Sequence, residues 1–209
     1  MTATGSDADL DTAISVVLFD MGGVLVQLGS LHELLGSGID EEHFWPLWLS
    51  SPAVRRFERG DCSPEEFADG AVDDLDLDLS AEAFLANFAR FPRGLFPGAA
   101  ELVTELSATV EIGLLSNTNQ LHWETQPDAE ILKRMVTRPY LSYRLGEVKP
   151  DEALFRLVLD DLDRPAAEVL FLDDNQLNVD GARRVGIAAE TVKGPGQARD
   201  VLGRYGLVR

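Results

Sequence analysis

The most restrictive feature of this chain is the run Ile14-Ser15-Val16-Val17-Leu18-Phe19, which stops at Asp20 and continues as Met21-Gly22-Gly23-Val24-Leu25. A short, continuous run rich in β-branched residues predicts a strand buried on both faces, as in the middle of a parallel sheet. An ionisable Asp20 does not belong in that interior. It marks the carboxyl end of the strand, where open α/β sheets collect their ligands. The two glycines that follow let the backbone turn tightly and approach a ligand closely.

Further strands are predicted at 110–115, 169–172 and 187–191, with amphipathic helices over 97–107, 151–162 and 179–185 and a last surface helix over 195–205. Strands alternating with helices predict an α/β fold, a Rossmann-like parallel sheet with helices on both faces. Residues 1–12 are polar and without periodicity, and read as a flexible N-terminal tail. The stretch 26–94 lacks strand patterning and predicts helices over 40–49, 52–59, 64–73 and 81–91. Ser51, Ser63 and Ser80 stand where capping hydroxyls belong, Pro52 and Pro64 fall in first turns, and Glu66 completes a capping box with Ser63. The expected organisation is a core of 13–25 and 95–209 with a helical cap, 26–94, inserted after the first strand.

Composition narrows the partners. Acidic residues outnumber basic ones 36 to 18, for a formal charge of −18, which disfavours nucleic acid and anionic membrane surfaces. No apolar run is long enough to span a bilayer, and the start of the chain does not resemble a secretory leader. With Cys62 as the one cysteine, a reducing cytoplasm is the expected location and a disulfide framework is excluded. A small molecule is the expected partner, bound by a monomer or homodimer.

Polar residues stand at three predicted strand ends: Asp20 after the first, Ser116-Asn117-Thr118-Asn119 after the second, and Asp173-Asp174-Asn175 after the third. Lys149 precedes Pro150 at the start of a predicted helix. Three carboxylates in one crevice repel one another unless a cation is present. Asp20, Asp173 and Asp174 form an oxygen-rich set suited to Mg²⁺, which favours a few carboxylates together with substrate phosphate. Lys149 would offset the remaining charge, and Ser116 and Asn117 would donate to phosphoryl oxygens. Trp45, Trp48 and Phe57 are candidates for either packing between cap helices or a pocket wall. His122 and Trp123 follow the second strand and are candidates for the same pocket.

These motifs resemble those of the haloacid dehalogenase-like phosphohydrolases, in particular the compact branch of small sugar-phosphate phosphatases. The resemblance runs from Val16 to about Val192, and the spacings from Ser116 to Lys149 to Asp173 fit it. It implies that Asp20 is a nucleophile forming an aspartyl phosphate, that Ser116 binds phosphate, and that Lys149 steadies nucleophile and phosphoryl oxygens. It also implies Mg²⁺ held by Asp20, the backbone carbonyl of Gly22, and Asp173 or Asp174. The implied function is Mg²⁺-dependent hydrolysis of a small phosphorylated metabolite, such as a sugar phosphate.

One departure stands out. The family usually carries an acid/base aspartate two residues after the nucleophile, where this chain has Gly22. Such proton transfer is worth about 10²–10⁴ in rate. His122 or the substrate is a candidate replacement. The alternative is a non-catalytic phosphate-binding or protein-interaction module on the same fold. Dehalogenase chemistry fits less well, since it implies an aromatic residue at position 22 and no metal.

Overall fold

The structure, a computed structural model, describes residues 13–36, 41–106, 108 and 110–208. The expected tail at 1–12 and the first residue of the helix predicted at 40–49 lie outside them. The chain opens with β1 (Val16–Phe19), β2 (Val26–Leu28) and five helices: α1 (Leu31–Leu35), α2 (Glu41–Ser50), α3 (Pro52–Glu58), α4 (Pro64–Asp74) and α5 (Ala81–Ala89). It returns through β3 (Pro92–Leu95), α6 (Ala99–Leu106) and β4 (Glu111–Ser116), then α7 (Gln120–Thr125), α8 (Ala129–Met135), β5 (Arg138–Leu141) and α9 (Ser142–Leu145). The remainder is α10 (Glu152–Leu162), β6 (Val169–Asp173), α11 (Gln176–Arg184), β7 (Ala188–Thr191) and α12 (Gly194–Arg204).

Five strands form a parallel sheet in the order β5-β4-β1-β6-β7. The strand read from Ile14–Phe19 is therefore central, and its four residues are wholly buried. Alternate side chains serve opposite faces. Val17 and Phe19 pack with Leu102, Leu106 and Leu202 from α6 and α12, whereas Val16 and Leu18 pack with Phe155, Val158 and Val179 from α10 and α11. The expected α/β sheet with helices on both faces is what the chain forms.

Strand β5 was not legible in the sequence. Its four residues, Arg-Pro-Tyr-Leu, include Pro139, which cannot donate to a ladder. The strand sits at the sheet edge, where proline is tolerated. The segment read as purely helical also begins and ends in strands: β2 and β3 pair antiparallel at its base. Runs of three and four residues are too short to show periodicity.

Between β2 and β3 the helices bury a separate apolar cluster, including Phe44, Trp48, Phe57, Phe67, Phe84 and Phe88. The capping chemistry is formed as expected. Ser51, Ser63 and Ser80 accept from the main-chain N–H of Val54, Glu66 and Ala83, and Glu66 returns a bond to Ser63 N–H. Among the described residues no helix is long and apolar enough to cross a membrane.

Phe67 is fully buried and stacks on Phe57 with ring centroids 4.3 Å apart. Phe67→Ala is expected to lower unfolding free energy by about 3–5 kcal/mol, read from urea denaturation. A loss under about 1 kcal/mol would show that this helical cluster does not contribute to global stability as its burial requires.

Candidate active site

Register brings the separated motifs to one edge of the sheet. Phe19 pairs with Leu114 on one side and Leu172 on the other, so the residues following these strands emerge together. Asp20 extends the ladder by one bond, its N–H donating to Leu172 O at 2.8 Å.

Lys149 links them. Its side chain is 1% exposed, and Nζ lies 2.6 Å from Asp173 Oδ2, 2.8 Å from Asp20 Oδ1 and 3.1 Å from Leu115 O. The ammonium donates to Leu115 O and Asp173 Oδ2 and is ion-paired with Asp20, whose Oδ1 has no hydrogen-bond partner among the described residues. Burial alone would favour the neutral amine, but Asp173 and Asp20 outweigh it and raise the lysine pKa. The approach of Lys149 is set by Asn117, whose amide accepts from Lys149 N–H at 2.8 Å and donates to Lys149 O at 3.0 Å. Both ends of its amide hold the Lys149 backbone, and Asn117 also lines the cavity above the site.

The two later aspartates differ. Asp173 is completely buried and accepts from Lys149, from Asn175 N–H at 2.8 Å, and from Asn178 Nδ2, which is 3.1 Å from each oxygen. Those bonds use most of the lone pairs a carboxylate offers. Asp174 is less enclosed and lines the cavity above the site. One oxygen from each of Asp20, Asp173 and Asp174 lies within 4.8 Å of the others. Burial raises the Asp20 pKa to about 6, with Asp173 adding to the rise and Lys149 opposing it. Burial followed by repulsion from Asp20 and Asp173 lifts Asp174 to about 7. A hard divalent cation relieves this crowding, and the oxygen donors fit one.

The glycines are not equivalent. Gly23 has φ +73°, and a Cβ there would lie 2.2 Å from Asp174 Oδ2. Gly22 lines the cavity without a left-handed backbone, and its Cβ would meet Leu28 Cδ1 at 3.2 Å. Backbone conformation therefore does not require glycine at position 22.

A cavity of about 710 Å³ opens over these residues. The core contributes Asp20, Gly22, Ser116, Lys149 and Asp174, and the helical insertion contributes Trp45, Trp48, Leu49, Glu58, Phe88 and Phe91. Phe57 and Trp123 are not among the lining residues. Phe57 is spent on the aromatic stack with Phe67, and Trp123 is buried in the cluster on one sheet face, with Lys133 and Arg144 over its ring.

His122 lines the cavity but is not a free proton donor. Its Nε2 lies 2.7 Å from Phe88 O; a carbonyl can only accept, so Nε2 carries the proton. Burial lowers its pKa to about 4, so it is neutral near pH 7. The expectation that His122 replaces the missing acid is corrected accordingly: its proton ties the core to the helical insertion.

Glu58 and Lys193, neither of them a candidate from the sequence, also line the cavity. Glu58 had a signal. Ala53, Val54, Phe57 and Glu58 are the buried residues of α3, so a carboxylate occupies the apolar stripe of its helix. Lys193 follows β7 in a loop, where no periodicity marks it.

Gly23→Ala is expected to destabilise the protein by about 1–2 kcal/mol through its left-handed backbone and to push the Asp174 carboxylate out of the cluster. Denaturant titration and a crystal structure of the variant check this, and an unmoved Asp174 at unchanged stability would contradict it.

A family model described as haloacid dehalogenase-like hydrolase matches residues 14–186. A D-ribitol-5-phosphate phosphatase of Bacteroides thetaiotaomicron is 25% identical over 183 residues, covering 83% of this chain and 89% of the relative. A Mycobacterium tuberculosis phosphatase is 26% identical over 199 residues, covering 90% and 91%. The crystal structure of a HAD family enzyme from B. thetaiotaomicron, in complex with magnesium and inorganic phosphate, superposes with a TM-score of 0.67 at 25% identity, covering 87% of this chain and 95% of that one. The strand-end geometry and the extent of the family match agree, and the chain belongs to the haloacid dehalogenase-like hydrolases.

Proposed function

We propose that this protein is a Mg²⁺-dependent phosphomonoester hydrolase acting on a small phosphorylated metabolite through an aspartyl phosphate on Asp20, with the segment 26–94 serving as the cap over its site. The observation that carries this reading is the buried ammonium of Lys149 bridging Asp20 and Asp173, with Asp174 alongside. It joins the nucleophile candidate, a fixed positive charge and a cation-ready carboxylate set in one crevice. The phosphatase names of two relatives and the magnesium and phosphate of a structural neighbour support the same chemistry.

Bound Mg²⁺ would supply the positive charge that lets a carboxylate and a phosphate dianion approach. Asp20, the Gly22 carbonyl and Asp174 are the protein ligands we assign. Asp173, already engaged by Lys149, Asn175 and Asn178, is assigned to orienting the lysine. One Asp20 oxygen attacks phosphorus in line with the departing ester oxygen. Ser116, buried at the end of β4, offers its hydroxyl to a phosphoryl oxygen, and Lys149 balances charge as the bond order shifts from the leaving oxygen to Asp20. Water then cleaves the acyl phosphate and regenerates the carboxylate. The tryptophans and phenylalanines of the cavity wall, with Lys193 at its side, suit the uncharged remainder of a sugar or polyol phosphate.

Wild-type protein is expected to release phosphate from members of a sugar- and polyol-phosphate panel and from dinitrophenyl phosphate, only with Mg²⁺ present. Asp20→Asn should abolish both activities while leaving the circular dichroism spectrum unchanged. Turnover that persists in Asp20→Asn, or that survives chelation, would contradict this reading. Phosphate binding without any turnover would favour the non-catalytic module.

A further inference from the structure

Gly22 leaves the core without a side chain to protonate a leaving group. We propose that Glu58, on cap helix α3, supplies this proton transfer, donating to the departing oxygen and later accepting a proton from the attacking water. The inference rests on the phosphatase reading above. It goes beyond it by assigning the acid/base group to the cap.

Placement is the first support. Among the described residues lining the cavity, Glu58 is the one carboxyl contributed by the segment 26–94. In-line attack by Asp20 expels the leaving oxygen away from the core carboxylate, toward the side of the cavity formed by the cap. Glu58 is buried, and both it and Trp48 line the cavity.

The helix that carries it is held against the core at its C-terminal end. Arg55 and Arg59 both reach Asp151 Oδ2, the latter at 3.2 Å, and Arg59 is 3.6 Å from Glu147. These acidic residues flank Lys149 in sequence. Gly60, two residues after Glu58, approaches so closely that a Cβ there would lie 2.6 Å from Tyr143 O. Glu58 is thereby positioned by the loop that also carries Lys149. A side chain on a helix anchored at three points is pre-organised for such a task.

Its protonation state suits the role. Burial raises its pKa to about 7, with Trp48, Lys149 and Arg55 opposing the rise and Asp20 adding to it. Those are the charged and polar groups facing it from α2, α3 and the core. An acid with a pKa near the working pH is the most effective donor and acceptor.

The step balances. Asp20 forms an O–P bond as the ester P–O bond breaks, and the Glu58 proton passes to the ester oxygen, which leaves as a neutral alcohol. The resulting Glu58 carboxylate takes a proton from water as that water attacks the acyl phosphate. Inorganic phosphate, free Asp20 and protonated Glu58 are restored.

The test compares leaving groups in Glu58→Gln. For an alkyl phosphate, kcat/KM is expected to fall about 10²–10⁴-fold. For dinitrophenyl phosphate, whose phenolate departs unaided, the loss should stay under about tenfold. Equal losses on both substrates, or no loss on either, would overturn the proposal, whereas inactivity of the wild type on both would instead sink the phosphatase reading. If Glu58→Gln does not fold by circular dichroism, wild-type pH profiles decide. kcat/KM for the alkyl ester should decline above the Glu58 pKa relative to the dinitrophenyl ester, and parallel profiles would overturn the proposal.

Discussion

The buried ammonium of Lys149 is the interaction on which the rest of this site depends. A lysine that is 1% exposed, with Asp173 completely buried beside it, survives only because each charge has partners. Removing one side of such a buried pair typically costs about 3–5 kcal/mol. The network therefore constrains both the fold and the site. The carboxyl ends of β1 and β6 must stay in register, the Leu115 carbonyl must remain available, and the loop at 147–151 must close over the sheet edge. Asn117 enforces that closure by bonding both main-chain groups of Lys149. Even so, one ammonium does not neutralise three carboxylates; burial raises the pKa of Asp20 and Asp174, and repulsion from neighbouring carboxylates adds to the rise. A site with surplus negative charge and free oxygen donors suits a divalent cation and, with it, a phosphate.

The helical insertion is joined to this centre by contacts that a sheet-and-helix description overlooks. Arg55 and Arg59 meet Asp151, Gly60 abuts Tyr143, and His122 donates to Phe88 O. The first two lie along α3 and just beyond its end, and the third ties α5 to α7. Together they set a wall of aromatic residues and one carboxyl opposite the sheet edge. Arginines near a candidate phosphate site invite assignment as substrate ligands, yet Arg55 and Arg59 are committed to fixing the two parts against each other. Their spacing on α3, one helical turn apart, is what lets both reach one aspartate.

Much of this architecture is legible in the sequence. Continuous burial of β1 follows from Val16–Phe19, and the carboxylate after it marks the ligand end by elementary electrostatics. The capping hydroxyls at Ser51, Ser63 and Ser80 announced three helix starts, because their chemistry is local. What was missed is non-local. Pro139 obscured an edge strand whose place depends on β4, and β2 and β3 are too short to show a pattern apart from each other. The hydrogen bonds of Asn117 to Lys149 and of His122 to Phe88 follow from tertiary contacts that residue type alone does not reveal. Glu58 was visible in principle as a carboxylate on an apolar helical stripe. Its meaning required knowing that this stripe continues into the cavity above Asp20.

The central claim, that the Lys149-anchored cluster makes Asp20 a phosphoryl acceptor, is tested most directly by trapping the covalent intermediate. Wild-type protein mixed with dinitrophenyl phosphate and Mg²⁺, quenched in acid and digested, should yield one phosphoryl group on the peptide containing Asp20, detected by mass spectrometry and absent when the metal is chelated. A phosphoryl group on another residue, or turnover with no covalent phosphate under any quench time, would contradict the account.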